Sequence, residues 1–225
     1  SKKLAAGSTH LVIDIPVGPS AKVRSHNEAV RLRKLFEYVA GKVGITIDVV
    51  LTDGSQPIGR GIGPVLEARD VMAVLRGEPN APADLRDRAV MLAGRVLDFD
   101  PRIEGGQGHA RALELLESGA ALAAMERLIL AQGPQQQSMP LGQLTHEVPA
   151  PRDGRVTAID CHLIARIARL AGAPMEKGAG IDLLCKVGDA VGAGQALCRI
   201  HATSQTGLNF ACELAGEASG YTVAA

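Results

Sequence analysis

The chain has 225 residues, 46% of them hydrophobic, and its 24 basic and 24 acidic side chains give a formal net charge of +0. This balance predicts no global positive field for a nucleic-acid polymer or an anionic membrane, and the apolar content excludes an intrinsically disordered chain. Aromatic residues make up 2%, too few for the base-stacking platforms of a single-strand binder. No apolar run reaches the roughly 20 residues that a membrane helix needs.

Two features bear on the origin and location of the protein. The chain begins with Ser1 rather than Met, and residues 3–7 have the pattern of a helix that ends at Gly7, so we expect a piece of something longer. The four cysteines contain no CxxC pair and lie near apolar neighbours. We therefore expect reduced, packed thiols in a cytoplasmic protein rather than disulfides or a zinc site.

The first predicted unit is a strand, a helix and a second strand. Residues 10–18 form a largely apolar run, typical of a strand buried on both faces of a parallel sheet. Ser25 followed by Glu28 fits a capping box, and apolar residues then recur at helical spacing until Gly44. Residues 45–51 are rich in β-branched side chains and predict the second strand. Together they indicate a βαβ unit of an α/β domain.

A Gly- and Pro-rich loop over residues 52–64 leaves the second strand. Helices are predicted after it at about 65–76, 83–97, 108–117 and 120–131. Residues 132–140 have the composition of a linker, and we place a domain boundary there. Residues 1–138 then belong to an α/β domain, and residues 139–225 form a C-terminal α+β domain with a barrel-sandwich or hammerhead-like β part.

The C-terminal domain begins with a predicted strand, turn and strand over residues 147–156. A short helix is expected at 161–170 and a hairpin at 186–197. The hairpin resembles biotinyl and lipoyl carrier domains in its Val-Gly-Asp…Gly pattern. Residues 175–178 do not match the lysine motif of a carrier, so we interpret the similarity as shared β architecture without attachment of a cofactor.

Both loops of the βαβ unit could line a ligand, because ligands of open α/β sheets lie at the carboxyl ends of the strands. The first loop ends in Lys22 just before a helix begins, which suits either an anion site or an ordinary turn with a solvated lysine. The second loop could line a ligand or only turn the chain. Residues 61–63 lack the third glycine of a dinucleotide fingerprint, so no nicotinamide cofactor is assigned. Asp14, within an apolar strand, needs a partner.

These residues, in their order and spacing, resemble the second half of the pyrimidine-nucleoside (thymidine) phosphorylase family. The resemblance covers essentially the whole chain. Residues 7–10 and 15–22 are most similar to the AMP phosphorylase branch, whose first loop carries a lysine. The matching segments are Ser1-Lys2-Lys3-Leu4-Ala5-Ala6-Gly7, Val12-Ile13-Asp14, Val17-Gly18, Thr52-Asp53-Gly54-Ser55-Gln56-Pro57-Ile58-Gly59, Leu66-Glu67, Asp84-Leu85 and Lys186-Val187-Gly188-Asp189.

The resemblance implies an enzyme that cleaves the N-glycosidic bond of a nucleoside or of AMP with inorganic phosphate, in a cleft between a helical and an α/β domain. It implies no cofactor beyond phosphate as co-substrate, and we expect a homodimer or higher homo-oligomer for the full-length protein. The phosphate-binding motifs of the family lie in a first half that this sequence does not contain. No catalytic residue is therefore assigned here, and the chain by itself is expected to be inactive.

Residue by residue, the resemblance implies two substrate-binding lysines. Lys2 matches the lysine that contacts the base, and Lys22 matches the lysine that the AMP branch uses at the nucleotide. Some family members hold a monovalent cation near the second loop. Its ligands would be the carbonyls of Ile58 and Gly61 and the carboxylate of Asp70, where the family has glutamate.

Two alternatives to a phosphorylase remain open at this point. One is a phosphoribosyltransferase of the same broad fold, which would need a Mg²⁺-dependent pyrophosphate site. The other is a non-catalytic module that only folds and associates.

Overall fold

In the computed structural model, which describes residues 2–133 and 139–225, the chain divides into two units. The first comprises Ser1–Gly54 and Arg86–Ala123, and the second comprises Ser55–Leu85 and Ala124–Ala225. In chain order the elements are α1 (Lys2–Ala5), β1 (His10–Val17), α2 (His26–Val43), β2 (Thr46–Asp53), β3 (Gly61–Ile62), α3 (Pro64–Leu75), α4 (Ala83–Leu97), α5 (Gly108–Glu117), α6 (Ala120–Gln132), β4 (Leu144–Pro149), β5 (Gly154–Ile159), α7 (Cys161–Leu170), β6 (Gly180–Leu183), β7 (Ala190–Val191), β8 (Ala196–Ala202), α8 (Gln205–Glu217) and β9 (Tyr221–Ala224).

The first unit contains the predicted βαβ motif. β1 and β2 pair in parallel from His10 opposite Thr46 to Val17 opposite Asp53, with α2 as the connection. The α/β class is thereby confirmed. Burial of β1 on both faces is wrong, because only Ile15 is fully buried along this strand. The physical reason is that the parallel sheet has two strands among the described residues, so each strand has a neighbour on one side only.

The helices that follow β2 agree with the predicted ones to within two residues. α3 carries Pro64 at its start, where proline costs no hydrogen bond, and α4 and α5 coincide with the predicted spans. α7 also has its predicted bounds, and its N-cap Asp160 accepts hydrogen bonds from the N–H groups of His162 and Leu163. The local signals of apolar spacing and capping were therefore sufficient for these helices.

The second unit contains two antiparallel sheets around the larger apolar core. One has the strand order β3-β6-β8-β4 and the other the order β7-β5-β9. The predicted hairpin at 186–197 is wrong, because β7 pairs with β5 whereas β8 pairs with β4 and β6. Likewise, β4 and β5 lie in different sheets although one short turn joins them. A barrel-sandwich form of this part stays a prediction.

The division into units differs from the predicted domain division. β3 extends the sheet of the second unit, with Gly61 opposite Asp182 and Ile62 opposite Ile181. A Cβ atom on Gly61 would lie 2.4 Å from the backbone of Leu66, so only glycine allows α3 to approach β3 this closely. Residues 55–85 therefore group with the C-terminal part. The predicted boundary, between residues 138 and 139, adjoins residues 134–138, which lie outside the described residues, and it stays a prediction.

Two further features of the described residues agree with the composition. Within residues 2–133 and 139–225, no helix is long and apolar enough to cross a membrane. The four cysteines are free thiols. Cys198 is fully buried, and this burial raises the pKa of its thiol to about 12, which keeps the sulfur protonated and unreactive.

Candidate functional site

The loop that follows β1 closes on itself before α2 begins. The Gly18 N–H donates to the carbonyl of Val23 at 3.1 Å, and the Ala21 N–H donates to the carbonyl of Gly18 at 3.0 Å. Val23 is buried in the core of the first unit, whereas its neighbour Lys22 is exposed. The loop therefore presents the Lys22 ammonium to solvent from a backbone that is fixed by its own hydrogen bonds.

The start of α2, next to this loop, is capped by its own side chains. The Ser25 hydroxyl accepts a hydrogen bond from the Glu28 N–H at 3.2 Å, which confirms the predicted N-cap. The Glu28 carboxylate accepts from the Arg24 N–H at 3.1 Å, one residue earlier than in a standard capping box. This carboxylate places a negative charge in the first turn, so the positive charge of the loop comes from Lys22 more than from the helix dipole.

Lys2 lies in the short helix α1, which Gly7 ends in the left-handed conformation (φ 74°), as predicted. Both Lys2 and Lys22 are exposed, and both belong to the first unit. Ile58, Gly61 and Asp70 belong to the second unit. The substrate-binding roles of the two lysines stay predictions.

Asp14 has the partners that its place in an apolar strand requires. Its carboxylate accepts a hydrogen bond from the Thr52 hydroxyl at 2.5 Å and forms an ion pair with Arg88 at 3.3 Å. The Arg88 guanidinium also donates to the Thr52 hydroxyl at 2.8 Å and to the carbonyl of Asp53 at 2.9 Å. One arginine of α4 thus joins β1 to the last residue of β2.

The carboxyl ends of β1 and β2 also touch directly. The Gly54 N–H donates to the carbonyl of Val17 at 2.9 Å. A Cβ atom on Gly54 would lie 2.9 Å from the Cβ of Pro16, so a larger residue would push the two strand ends apart. Together with Arg88, this contact fixes where the second loop leaves the sheet.

Asp70 is a buried carboxylate at the start of the second unit, 4% exposed. Its Oδ2 accepts from the N–H groups of Arg60 at 2.6 Å and Gly61 at 2.7 Å. Its Oδ1 accepts from Nε of Arg69 at 3.2 Å and from Nη2 at 2.9 Å. Arg69 also forms two hydrogen bonds with Asp182, and this contact, followed by the one with Asp70, raises the pKa of the guanidinium.

A second cation lies against the same loop. The Lys186 ammonium donates to the carbonyl of Pro57 and, at 2.8 Å, to that of Gly59, and it forms an ion pair with Asp84 at 2.9 Å. The Val187 N–H donates to the Gln56 side-chain oxygen at 3.0 Å. The Gln56–Gly59 segment is therefore attached to the strand-connecting segment that begins at Lys186.

The donor set does not favour the monovalent cation predicted at Ile58, Gly61 and Asp70. A carboxylate offers about four acceptor positions, and Asp70 already receives four N–H donors, two of them from the positively charged Arg69. A cation bound to Asp70 would have to displace these donors and lie beside a guanidinium. Within the described residues, no three His, Cys, Asp or Glu side chains form a metal-binding group. The metal role of the three residues stays a prediction.

The sequence did not identify the residues that hold these loops. The need of Asp14 for a partner was evident, but nothing in the spacing of Thr52 or Arg88 marked them as that partner. Lys186 was noted only as part of a family motif. Its acceptors, Pro57 and Gly59, lie 129 and 127 positions earlier in the chain, a separation that no local pattern reports.

Comparison with known proteins finds one matching family and several similar full-length proteins. Residues 155–222 match the family described as the pyrimidine nucleoside phosphorylase C-terminal domain. A protein of Rhodopseudomonas palustris (strain BisA53) named "Putative thymidine phosphorylase" is 58% identical over 223 residues, 99% of this chain and 44% of the relative. Proteins of the same name from Albidiferax ferrireducens and Methylococcus capsulatus are 58% and 56% identical, over 99% of this chain and 43% of each relative.

These similarities extend along both units, whereas the family match covers only the C-terminal part of the second. The chain spans less than half the length of these relatives. The resemblance inferred from the sequence motifs is thereby confirmed.

Proposed function

Because residues 155–222 match the pyrimidine nucleoside phosphorylase C-terminal domain and the chain is 58% identical to a protein named "Putative thymidine phosphorylase", we propose that it is part of an enzyme of this family, which cleaves N-glycosidic bonds with inorganic phosphate. A phosphate oxygen forms a bond to the anomeric carbon while the bond from that carbon to the base breaks. The base leaves with the electron pair and takes up a proton. The products are the free base and a ribose or deoxyribose 1-phosphate, or ribose 1,5-bisphosphate when the substrate is AMP.

The observation that carries this proposal is the 58% identity, over 99% of the chain, to a protein named "Putative thymidine phosphorylase". Identity at this level along both units supports a common reaction type. The reaction requires stabilisation of the phosphate and of the departing base, which fixed cationic side chains supply. Inorganic phosphate is the co-substrate, and the proposal needs no organic cofactor.

Within this proposal Lys22 binds the 5′-phosphate of a nucleoside monophosphate, and Lys2 contacts the base. The support for Lys22 is its position: the closed loop fixes its backbone, and its side chain is exposed. The exposed Lys22 ammonium is accessible to an anion. A nucleoside without a 5′-phosphate offers nothing for that charge to bind, and the proposal therefore favours AMP over thymidine.

The proposal assigns the rest of the reaction to residues outside this chain. The relatives are more than twice as long as the part that aligns with this chain, so the phosphate site and the proton donor are assigned to the additional length. The proposal therefore gives the 225-residue chain alone no phosphorolytic activity. The homo-oligomer and the cytoplasmic location expected from the sequence stay predictions.

The test is a panel of substrates with the intact protein, the full-length enzyme that contains this chain. AMP, CMP, UMP, thymidine and uridine are incubated with and without inorganic phosphate, and release of the free base is measured. The proposal predicts release that depends on phosphate and is fastest for a nucleoside monophosphate. Rapid thymidine cleavage with no AMP cleavage would contradict the AMP assignment, and release without phosphate would contradict phosphorolysis itself.

A further inference from the structure

Within the second loop, residues 56–61 are held between two opposite charges. On one side the carbonyls of Pro57 and Gly59 accept hydrogen bonds from Lys186. On the other side the N–H groups of Arg60 and Gly61 donate to the Asp70 carboxylate. The backbone thus presents carbonyl oxygens to a cation and N–H groups to an anion within a few residues.

The contacts of Lys186 match the bonding capacity of an ammonium group. A lysine ammonium has three N–H donors and no acceptor. The side chain meets three oxygens: the carbonyls of Pro57 and Gly59, and Oδ2 of Asp84 at 2.9 Å. The same Asp84 oxygen accepts from the Gly59 N–H at 3.2 Å. The ammonium, the loop and the start of α4 therefore form one closed arrangement.

Carbonyl oxygens that converge on one point are also the ligands that bind a free monovalent cation in proteins. Here the two carbonyls are already bound to a positive charge that is covalently part of the chain. Lys186 is 22% exposed and Asp84 is 36% exposed, so the pair is only partly screened by water. The acceptor positions of the Asp70 carboxylate, another candidate metal ligand, are occupied by hydrogen bonds from Arg69 and two backbone N–H groups.

We propose that Lys186 acts as a tethered cation: it organises the Pro57–Gly59 segment and makes this loop independent of a free monovalent cation. It is a positioning residue, which acts through the two carbonyls and Asp84. The carbonyls that Lys186 binds, those of Pro57 and Gly59, belong to the same loop as Ile58 and Gly61, the residues whose carbonyls are expected as metal ligands.

Amide hydrogen exchange in the intact protein tests this inference, and it does not depend on whether the protein is a phosphorylase. The reporter is the Gly59 N–H, which is bonded to Asp84. Exchange is measured in choline chloride, KCl and NH₄Cl at equal ionic strength. The variants are Lys186→Ala, which removes the charge and leaves space, and Lys186→Met, which removes the charge and fills the space. The control is Lys177→Ala, a lysine of the same unit whose ammonium donates to the Pro174 carbonyl.

The tethered cation predicts equal Gly59 protection in all three salts for the wild-type protein and for Lys177→Ala. In Lys186→Ala, protection of the Gly59 N–H against exchange should fall about tenfold in choline chloride, the change expected when a charge-assisted contact is lost. It should regain this protection along a saturable curve in KCl or NH₄Cl. Lys186→Met should lose protection in choline and regain little of it, because the side chain blocks the space. The saturable recovery distinguishes a tethered cation from a lysine that only packs.

Three results would overturn the inference. Wild-type protection that rises saturably with K⁺ over choline would show that a free cation is still needed. Lys186→Ala protection that equals wild type in choline would show that the lysine does not organise the loop. Loss without recovery in either salt would reduce Lys186 to a packing role. The comparison of the wild-type protein in the three salts requires no variant. It can therefore contradict the inference even if Lys186→Ala does not fold.

Discussion

Nη1 of Arg88 lies 3.3 Å from Oδ2 of Asp14, and the same nitrogen donates to the Thr52 hydroxyl that binds the other carboxylate oxygen. The two side chains are 17% and 25% exposed, which distinguishes them from surface ion pairs. Because Arg88 also binds the carbonyl of Asp53, this pair fixes the end of β2 relative to β1.

Replacing Arg88 with methionine should lower the free energy of unfolding by about 1–2 kcal/mol, since it leaves a half-buried carboxylate with one partner fewer. Urea denaturation of the intact protein measures the change. Arg95→Met is the matched control on the same helix, because the Arg95–Asp48 pair is 52% and 30% exposed at 3.5 Å. It should cost less than about 0.5 kcal/mol. Equal losses for the two variants would contradict the importance of the Arg88–Asp14 pair.

Replacing Lys22 with alanine should raise KM for AMP by about 10- to 100-fold, which corresponds to the loss of one contact to a charged phosphate. KM for adenosine should change little, because adenosine has no 5′-phosphate. Steady-state kinetics with both substrates measure the difference. Lys34→Ala, another exposed lysine of the first unit, should leave both values unchanged. An equal rise for AMP and adenosine would remove the 5′-phosphate role of Lys22.

Replacing Asp70 with asparagine should lower the free energy of unfolding by about 2–3 kcal/mol. The NH₂ group of the buried amide would face N–H groups that now donate hydrogen bonds to the carboxylate, so donors would face donors. Arg69 would also lose a charged partner. Glu147→Gln is the control, because the Glu147–Arg199 pair is 51% and 41% exposed on the surface of the same unit. Thermal unfolding compares the two. A loss for Asp70→Asn no larger than for Glu147→Gln would show that burial adds nothing to this carboxylate.

The protein should become less stable as pH rises above about 9. Burial raises the pKa of the Cys198 thiol from 9.0 to about 12, so between these values the unfolded chain releases a proton that the folded chain keeps. At pH 10 this difference amounts to about 1.4 kcal/mol. Urea denaturation at pH 7, 9 and 10 measures it. Cys198→Ala should be less stable than wild type at pH 7, but its free energy of unfolding should fall less between pH 9 and 10. The same pH dependence in Cys198→Ala and wild type would rule out the Cys198 thiol as the cause.

Local signals predicted most of the fold of this chain. Apolar spacing and capping residues such as Ser25 identified the helices, and parallel pairing followed from two strands joined by α2. The pairing of β7 and β8 could not be read from the sequence, because a short turn between two strands indicates a hairpin whether or not tertiary contacts separate them. Here β7 pairs with β5, while β8 lies between β6 and β4.

Some residues of the candidate site could be predicted from local sequence motifs, and others could not. Lys2 and Lys22 stand out because they lie in motifs of contiguous residues. Lys186 and Arg88 each bind acceptors that are far away in the sequence. Folding places Lys186 beside the Gly59 carbonyl and Arg88 beside the Asp14 carboxylate. A single sequence shows that Asp14 needs a partner, because an ionised carboxylate in an apolar strand is unfavourable alone. It does not show which cation provides it.

The most direct test of phosphorolysis is the stoichiometry of the AMP reaction with the intact protein. Adenine release is followed by absorbance, and consumption of inorganic phosphate is followed in the same sample by ³¹P NMR. Phosphorolysis predicts one phosphate consumed for each adenine released, with ribose 1,5-bisphosphate as the phosphorylated product. Adenine release with unchanged inorganic phosphate and ribose 5-phosphate as the product would mean hydrolysis, and would contradict the proposed function.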